Sequence, residues 1–132
     1  MALFGPYKAM VRRVVDGDTF MLDIDLGFDH MISAADWAGN PRLACRVFGI
    51  NAPEKSTKAG KVALEFAAKT LPIGSPCQVL SHGWDKYGGR FNGTITCPDG
   101  RDFAAVMLST GHAVALTEYK MKAARAHRLK KG

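Results

Sequence analysis

The sequence predicts an α+β, strand-rich chain: a five-stranded, partly open barrel of the OB type, with one interstrand helix, a short second helix and a basic C-terminal helix or tail. Three observations carry that prediction. Five short segments read as strands, a helical segment lies between the third and the fourth of them, and 132 residues suffice for one compact domain. Periodicity by itself supports only the strand-rich class, and the order of elements adds the barrel.

Val11, Val14 and Val15 open a β-rich stretch. After Asp16-Gly17-Asp18, the apolar residues Phe20, Leu22, Ile24 and Leu26 alternate with Met21, Asp23 and Asp25, the period of a half-buried strand with its acids outward. The D-G turn pairs these two strands as a hairpin. Residues 27–42 have no clean period and read as a long connection with one short turn of helix. A third strand spans Ala44–Ile50 and stops at Asn51-Ala52-Pro53, because proline donates no hydrogen bond and biases its predecessor away from helix. Thr57 can cap a helix over about 58–71, with Ala59, Val62, Ala63, Phe66 and Thr70 on one face and Leu71-Pro72-Ile73-Gly74 as its stop. Strands at Gln78–Ser81 and Arg90–Thr96 follow, then a turn at Pro98-Asp99-Gly100. Asp102 caps a short helix from Phe103 to about Thr110, ended by Gly111.

Composition narrows the class. With 47% apolar and 23% charged residues, the chain is neither disordered nor collagen-like. No apolar run approaches the roughly 20 residues that cross a bilayer, and Met1–Pro6 is too short and uncharged for a signal peptide, so a soluble, cytoplasmic protein is expected. Cys45, Cys77 and Cys97 are odd in number and widely spaced, which argues for reduced thiols on apolar faces rather than a disulfide framework or a zinc site. The net charge of +6 is localised: residues 1–119 hold 12 basic and 12 acidic side chains, whereas 120–132 hold Lys120, Lys122, Arg125, Arg128, Lys130 and Lys131 and no acid. Such a cationic tail gathers polyanions by counterion release, and otherwise reads as a solvated helix end.

Two places carry candidate chemistry. Asp16-Gly17-Asp18-Thr19 sets two carboxylates on a tight turn, a pattern that ordinary turn chemistry also explains. Phe20 and Met21 at the next ligand and glycine positions exclude an EF-hand. Arg46 lies in an apolar strand, where a charge is costly without a partner, and Asn51-Ala52-Pro53-Glu54 places oxygen-bearing side chains at that strand's end. An arginine beside oxygen ligands suits a phosphate and a hard cation together; the other reading is a buried Arg–Glu pair.

Val15–Phe20, Arg46–Glu54 and Asp85-Lys86-Tyr87-Gly88-Gly89-Arg90, in this order, resemble the staphylococcal-nuclease-like (thermonuclease) family, and Gly111-His112-Ala113 is similar to its segment after the second helix. The resemblance covers about residues 10–119. It implies an OB barrel over residues 1–119, with an insertion at about 27–42 and a separate tail at 120–132. It further implies a calcium-dependent nuclease, hydrolysing DNA and/or RNA to 3′-phosphate and 5′-hydroxyl ends. By match, Asp18, Asn51 and the carbonyl of Ala52 would bind Ca²⁺, with Asp16 close behind. Arg46 and Arg90 would bind the scissile phosphate, Glu54 would act on the attacking water, and Tyr87 and Lys86 would contact substrate. Lys120, Lys122, Arg125 and Arg128 would add phosphate contacts. The expected partner is single-stranded nucleic acid, its bases stacking on Tyr87 or Trp84, bound by a monomer with no membrane partner.

The match departs from the family in three ways. Asn51 stands where the family usually has aspartate, so one negative charge is missing and weaker metal affinity is expected. Arg90 comes one residue later than the family's arginine, and since a one-residue slip turns a strand side chain to the other face, it serves only if Gly89 is an extra turn residue or bulge. The 27–42 connection, with Asp29, His30, Asp36 and Trp37, reads as a surface insertion rather than a second metal site, and His82 and His112 read as strand and loop residues. The competing class is a non-catalytic OB nucleic-acid-binding module with a degenerate nuclease site; a scaffold acting through its tail ranks last.

Overall fold

The structure, a computed structural model, describes residues 3–33, 44–84 and 90–116. In chain order its elements are β1 (Phe4–Asp16), β2 (Thr19–Gly27), β3 (His30–Ile32), β4 (Ala44–Val47), β5 (Ile50–Asn51), α1 (Lys58–Thr70), β6 (Pro76–Trp84), β7 (Arg90–Thr96), α2 (Phe103–Ser109) and β8 (Val114–Ala115). The sheet runs β1-β6-β7-β4-β2, and the additional β1–β2 pairing closes it into a five-stranded barrel. β4 and β7 run parallel, while the other barrel pairs are antiparallel. The strand-rich α+β class and the OB-type barrel are therefore present.

β1 is longer than Val11–Val15 because it lends both edges, Lys8 standing opposite Asp25 of β2 and Gln78 of β6. The core is built from inward side chains of all five barrel strands and both helices, among them Val11, Phe20, Leu22, Val47, Val79, Ile95, Leu71 and Phe103. The ring of Phe20 meets that of Phe103 edge-on at 5.0 Å, joining α2 to the barrel. All three cysteines are free and buried, and burial raises each thiol, that of Cys77 to about 11. Among the described residues, no helix is long and apolar enough to cross a membrane.

Four expectations need correction. The strand expected over Ala44–Ile50 is two: Gly49 takes a left-handed φ of 86°, and β5 leaves the barrel to pair with β8. The long connection begins as a hairpin, with β3 paired to β2 across a Phe28-Asp29 turn at φ 55° and 59°; residues 34–43, with Asp36 and Trp37, lie outside the described set. Asp23 and Met21 do not face water. Both are buried, and over Asp23 lies the guanidinium of Arg12, at a bulge of β1, with Nε 3.3 Å from Oδ2. On α1 the buried face is Gly60, Ala63 and Ala67, while Val62 is exposed. At Gly60 the backbone of Glu54 and Lys55 lies directly against the helix, and Ala63 faces Gly17 of the β1–β2 turn.

Candidate functional site

Three chain segments converge at one end of β4. The first is the β1–β2 turn. Its tightness comes from Asp16, whose Oδ1 accepts the amide of Asp18 at 3.2 Å, and its position from Gly17. A Cβ on Gly17 would stand 2.9 Å from the Cβ of Ala52 and 3.1 Å from that of Ala63, so the turn presses on the segment after β5 and on α1. The second segment is β4, where Arg46 stands opposite Thr19 and the Val47 amide donates to the Asp18 carbonyl at 2.8 Å. The third is Asn51–Glu54.

Asp18 is the hub. Its Oδ1 accepts the Thr19 hydroxyl at 3.0 Å, its Oδ2 accepts the Ala52 amide at 2.9 Å, and Nη2 of Arg46 lies 3.8 Å from the same Oδ2. Nη2 of Arg46 also donates to Oδ1 of Asn51 at 3.0 Å. The Arg46 and Asp18 side chains are only 14% and 9% exposed, so the pair is held largely away from water. Burial acts to raise the Asp18 carboxyl, but the hydrogen bonds from Asp16, Ala52 and Thr19 and the Arg46 charge outweigh it and hold the group below its ordinary value. Asp16 goes the other way. Burial first, then the hydrogen bond and negative charge of Asp18, push it up to about 6.

At neutral pH this cluster carries two carboxylates against one guanidinium. The surplus negative charge and the all-oxygen donor set, with Asn51 adding an amide oxygen, suit a hard cation and not a thiophilic one. The set is sparse: among the described residues, no group of three His, Cys, Asp or Glu could hold a metal. Both Asp18 oxygens and the Asn51 oxygen already accept hydrogen bonds. A cation of the calcium or magnesium class held by these oxygens would have to keep much of its water, because they cannot enclose it.

Glu54 sits on the turn that leads into α1. Its backbone carbonyl accepts the amide and the hydroxyl of Thr57, at 3.0 and 2.7 Å, and Thr57 in turn caps the helix by accepting the Gly60 amide at 3.0 Å, as its sequence position predicts. A Cβ at Gly60 would overlap the Glu54 carbonyl, so that glycine sets how closely the turn packs on α1. Glu54 is exposed and forms no ion pair with a described residue, which excludes the buried Arg–Glu reading.

Arg90 opens β7, with Phe91 next to it buried in the core. Asn92 stands opposite Arg46, so Arg90, Asn92 and Arg46 share the outer face of the sheet. The irregularity that the described residues show in this hairpin lies on β6, between Ser81 and Trp84, where Gly83 takes a φ of 98°. That bulge brings Trp84 opposite the inward Phe91. Trp84 therefore lines a cavity of about 250 Å³ at the barrel mouth with Phe4, Tyr7 and Leu26, away from the face of Arg46. His82 lies on β6, and His112 follows α2 and stacks on Phe66 at 4.0 Å. Lys86, Tyr87, Gly89, Lys120, Lys122, Arg125 and Arg128 lie outside the described residues.

The structure thus brings Asp16, Asp18, Arg46, Asn51 and Ala52 together from separate segments. Ala52, expected to contribute its carbonyl, is seen to contribute its amide, and Thr19, part of the turn motif but given no role there, joins the cluster through its hydroxyl. Compared with protein-family models, residues 44–131 match the one described as staphylococcal nuclease homologue, a span of more than half the chain. The match begins at β4, so Asp16 and Asp18 fall before it; they reach the cluster through the pairing of β2 with β4 and through the contacts of Asp18 with Arg46, Val47 and Ala52. No curated protein matches the chain.

Proposed function

Since the chain belongs to the staphylococcal nuclease homologue family, we propose that it is a calcium-dependent nuclease, hydrolysing phosphodiesters of DNA, RNA or both with little sequence preference and leaving 3′-phosphate ends. The observation that supports this most directly is the contact set of Arg46, with Asp18 on one side and Asn51 on the other, three residues before an exposed Glu54. An arginine serving stability alone would need no exposed carboxylate on the segment that follows its Asn51 partner.

Arg46 carries the first role. Fixed by Asn51 and Asp18, its guanidinium offers its remaining N–H groups to a nonbridging phosphate oxygen without first losing rotamer freedom. Arg90, on the same face, adds a second positive charge where charge accumulates in the transition state. Glu54 accepts a proton from the attacking water; its exposure leaves room for that water. Asp16, Asp18 and Asn51 would hold the cation, with the Ala52 carbonyl as the further donor. Bound calcium supplies positive charge that offsets the substrate's own. Single-stranded substrate is preferred, and the monomer acts with Lys86, Tyr87 and the cationic tail as further contacts.

Digestion of single-stranded DNA tests the reading. Cleavage is expected with millimolar calcium and not with chelator, and Glu54→Gln should lower kcat by about a hundredfold or more while leaving oligonucleotide binding intact. Binding without calcium-dependent cleavage would replace the enzyme by a nucleic-acid-binding module. One observation favours that second reading: both carboxylate oxygens of Asp18, and the side-chain oxygen of Asn51, already have partners within the chain.

A further inference from the structure

We propose that the stacked rings of Phe48 and His82 form a platform for a nucleobase of single-stranded nucleic acid, beside the phosphate position at Arg46. The proposal rests on the nuclease-site reading for the location of the phosphate, and adds where an adjacent base goes.

The two rings lie 4.0 Å apart between centroids and within 11° of parallel. Each is anchored from the barrel. The Phe48 amide donates to the Gly93 carbonyl of β7 at 2.8 Å, and Nε2 of His82 lies 2.8 Å from the Thr94 hydroxyl. The rings are thereby held by backbone and edge contacts, which leaves a ring face of Phe48 for something else: the residue is 45% exposed.

Register puts this pair on the face of the candidate site. Arg46 is opposite Asn92, Thr94 follows Asn92 by two positions, and Arg90 precedes it by two, so Arg90, Asn92 and Thr94 form one outward row. Same-face neighbours on a strand are about 6.7 Å apart. The rings beside Thr94 therefore stand roughly one nucleotide's reach from a phosphate at Arg46. Phe48 itself is two residues beyond Arg46 in the same chain segment.

The occupant follows from what surrounds the rings. An apolar ring on a face that otherwise presents two arginines, an asparagine and a threonine suits a ligand with a flat, unpaired π-surface and a negative charge at fixed spacing. A single-stranded nucleotide has both, and a paired base hides its face within the duplex. The exposed apolar residues at the barrel mouth, Phe4, Leu26 and Trp84, line a cavity with no arginine among its described lining residues and stand on the other side of the sheet.

The test measures binding, in chelator, of a short oligothymidylate and of an abasic oligomer of equal length, by fluorescence anisotropy. Phe48→Ala should weaken the oligothymidylate by about tenfold or more, the scale of one base–aromatic stack, and leave the abasic oligomer within about twofold. Phe48→Leu keeps the apolar volume against His82 and should show the same selective weakening, carrying the test if the alanine variant does not fold. Phe48→Trp should retain or tighten binding of oligothymidylate only. Equal weakening of both oligomers, or none of either, would overturn the platform. Because no metal or cleavage is involved, base-selective binding by a protein that never cleaves would sink the nuclease and keep the platform. Calcium-dependent cleavage with Phe48 indifferent would do the reverse.

Discussion

Asp16 and Asp18 are two positions apart and chemically opposed. Asp18 is held below the ordinary carboxylate range by its hydrogen-bond partners and the Arg46 charge, whereas Asp16, facing that same carboxylate, is pushed up to about 6. A carboxyl raised on folding favours the native state fully below its unfolded value, near 3.8, and that benefit disappears as pH rises through about 6. Asp16→Asn imitates the neutral form and can still accept the Asp18 amide. In chelator, this variant should be more stable than the natural chain above pH 6, with the difference gone below about pH 4. A fully buried group would yield about 3 kcal/mol for such a shift, and solvent screening of the half-buried Asp16 brings the expectation nearer 1 kcal/mol. Thermal melting at pH 4 and pH 7.5 measures it, and equal melting differences at both would refute the assignment. With calcium present the ordering should invert, because a cation site loses a charge. The motif residues could be picked out in the sequence as types and spacings. Their unequal acidity could not, since beside the Asp16–Asp18 hydrogen bond it depends on burial and on the Ala52 amide and the Arg46 charge, which are 34 and 28 positions from Asp18 in the chain.

The helix α1 shows how an element positions chemistry it does not itself contain. Its cap at Thr57 and its stop near Leu71 follow from local rules, and both are where those rules put them. The buried face does not follow from them. Of the face expected through Ala59, Val62, Ala63, Phe66 and Thr70, Ala63 is buried and Phe66 packs against the core, whereas Val62 is exposed and Gly60 and Ala67 are buried instead; at Gly60 the contact is with backbone and leaves no volume for a side chain. A substitution at Gly60 should therefore have the opposite sign from the usual one. Alanine in place of glycine normally stabilises a helix by roughly 1 kcal/mol, but Gly60→Ala would drive a Cβ into the Glu54 carbonyl. It should cost about 1–3 kcal/mol and, by displacing Glu54, lower kcat by about tenfold to a hundredfold. Denaturant melts and calcium-dependent digestion would show both, and a stabilised, fully active variant would refute the packing argument.

Across the whole molecule, charge and architecture divide the labour. The described barrel holds the convergent site, and the surplus positive charge belongs to residues 120–132. Removing those thirteen residues should weaken binding to single-stranded DNA and reduce the salt dependence by about 0.7 in log–log slope for each phosphate that the tail neutralises, without abolishing calcium-dependent cleavage. Titrations between low and moderate salt would measure it; an unchanged slope would show that the tail does not touch the polyanion. The strand-rich class, the hairpin at the D-G turn, both helix caps and the family motifs are legible in the amino-acid order, because each depends on residues within a few positions of one another. The burial of Asp23, the split of β4 from β5 at Gly49, the shared face of Arg90 and Arg46, and the turning of Trp84 to the barrel mouth emerge only on folding. These depend on strand register and bulges, where a shift of one residue reverses every side chain, and register is set by closure of the barrel as a whole.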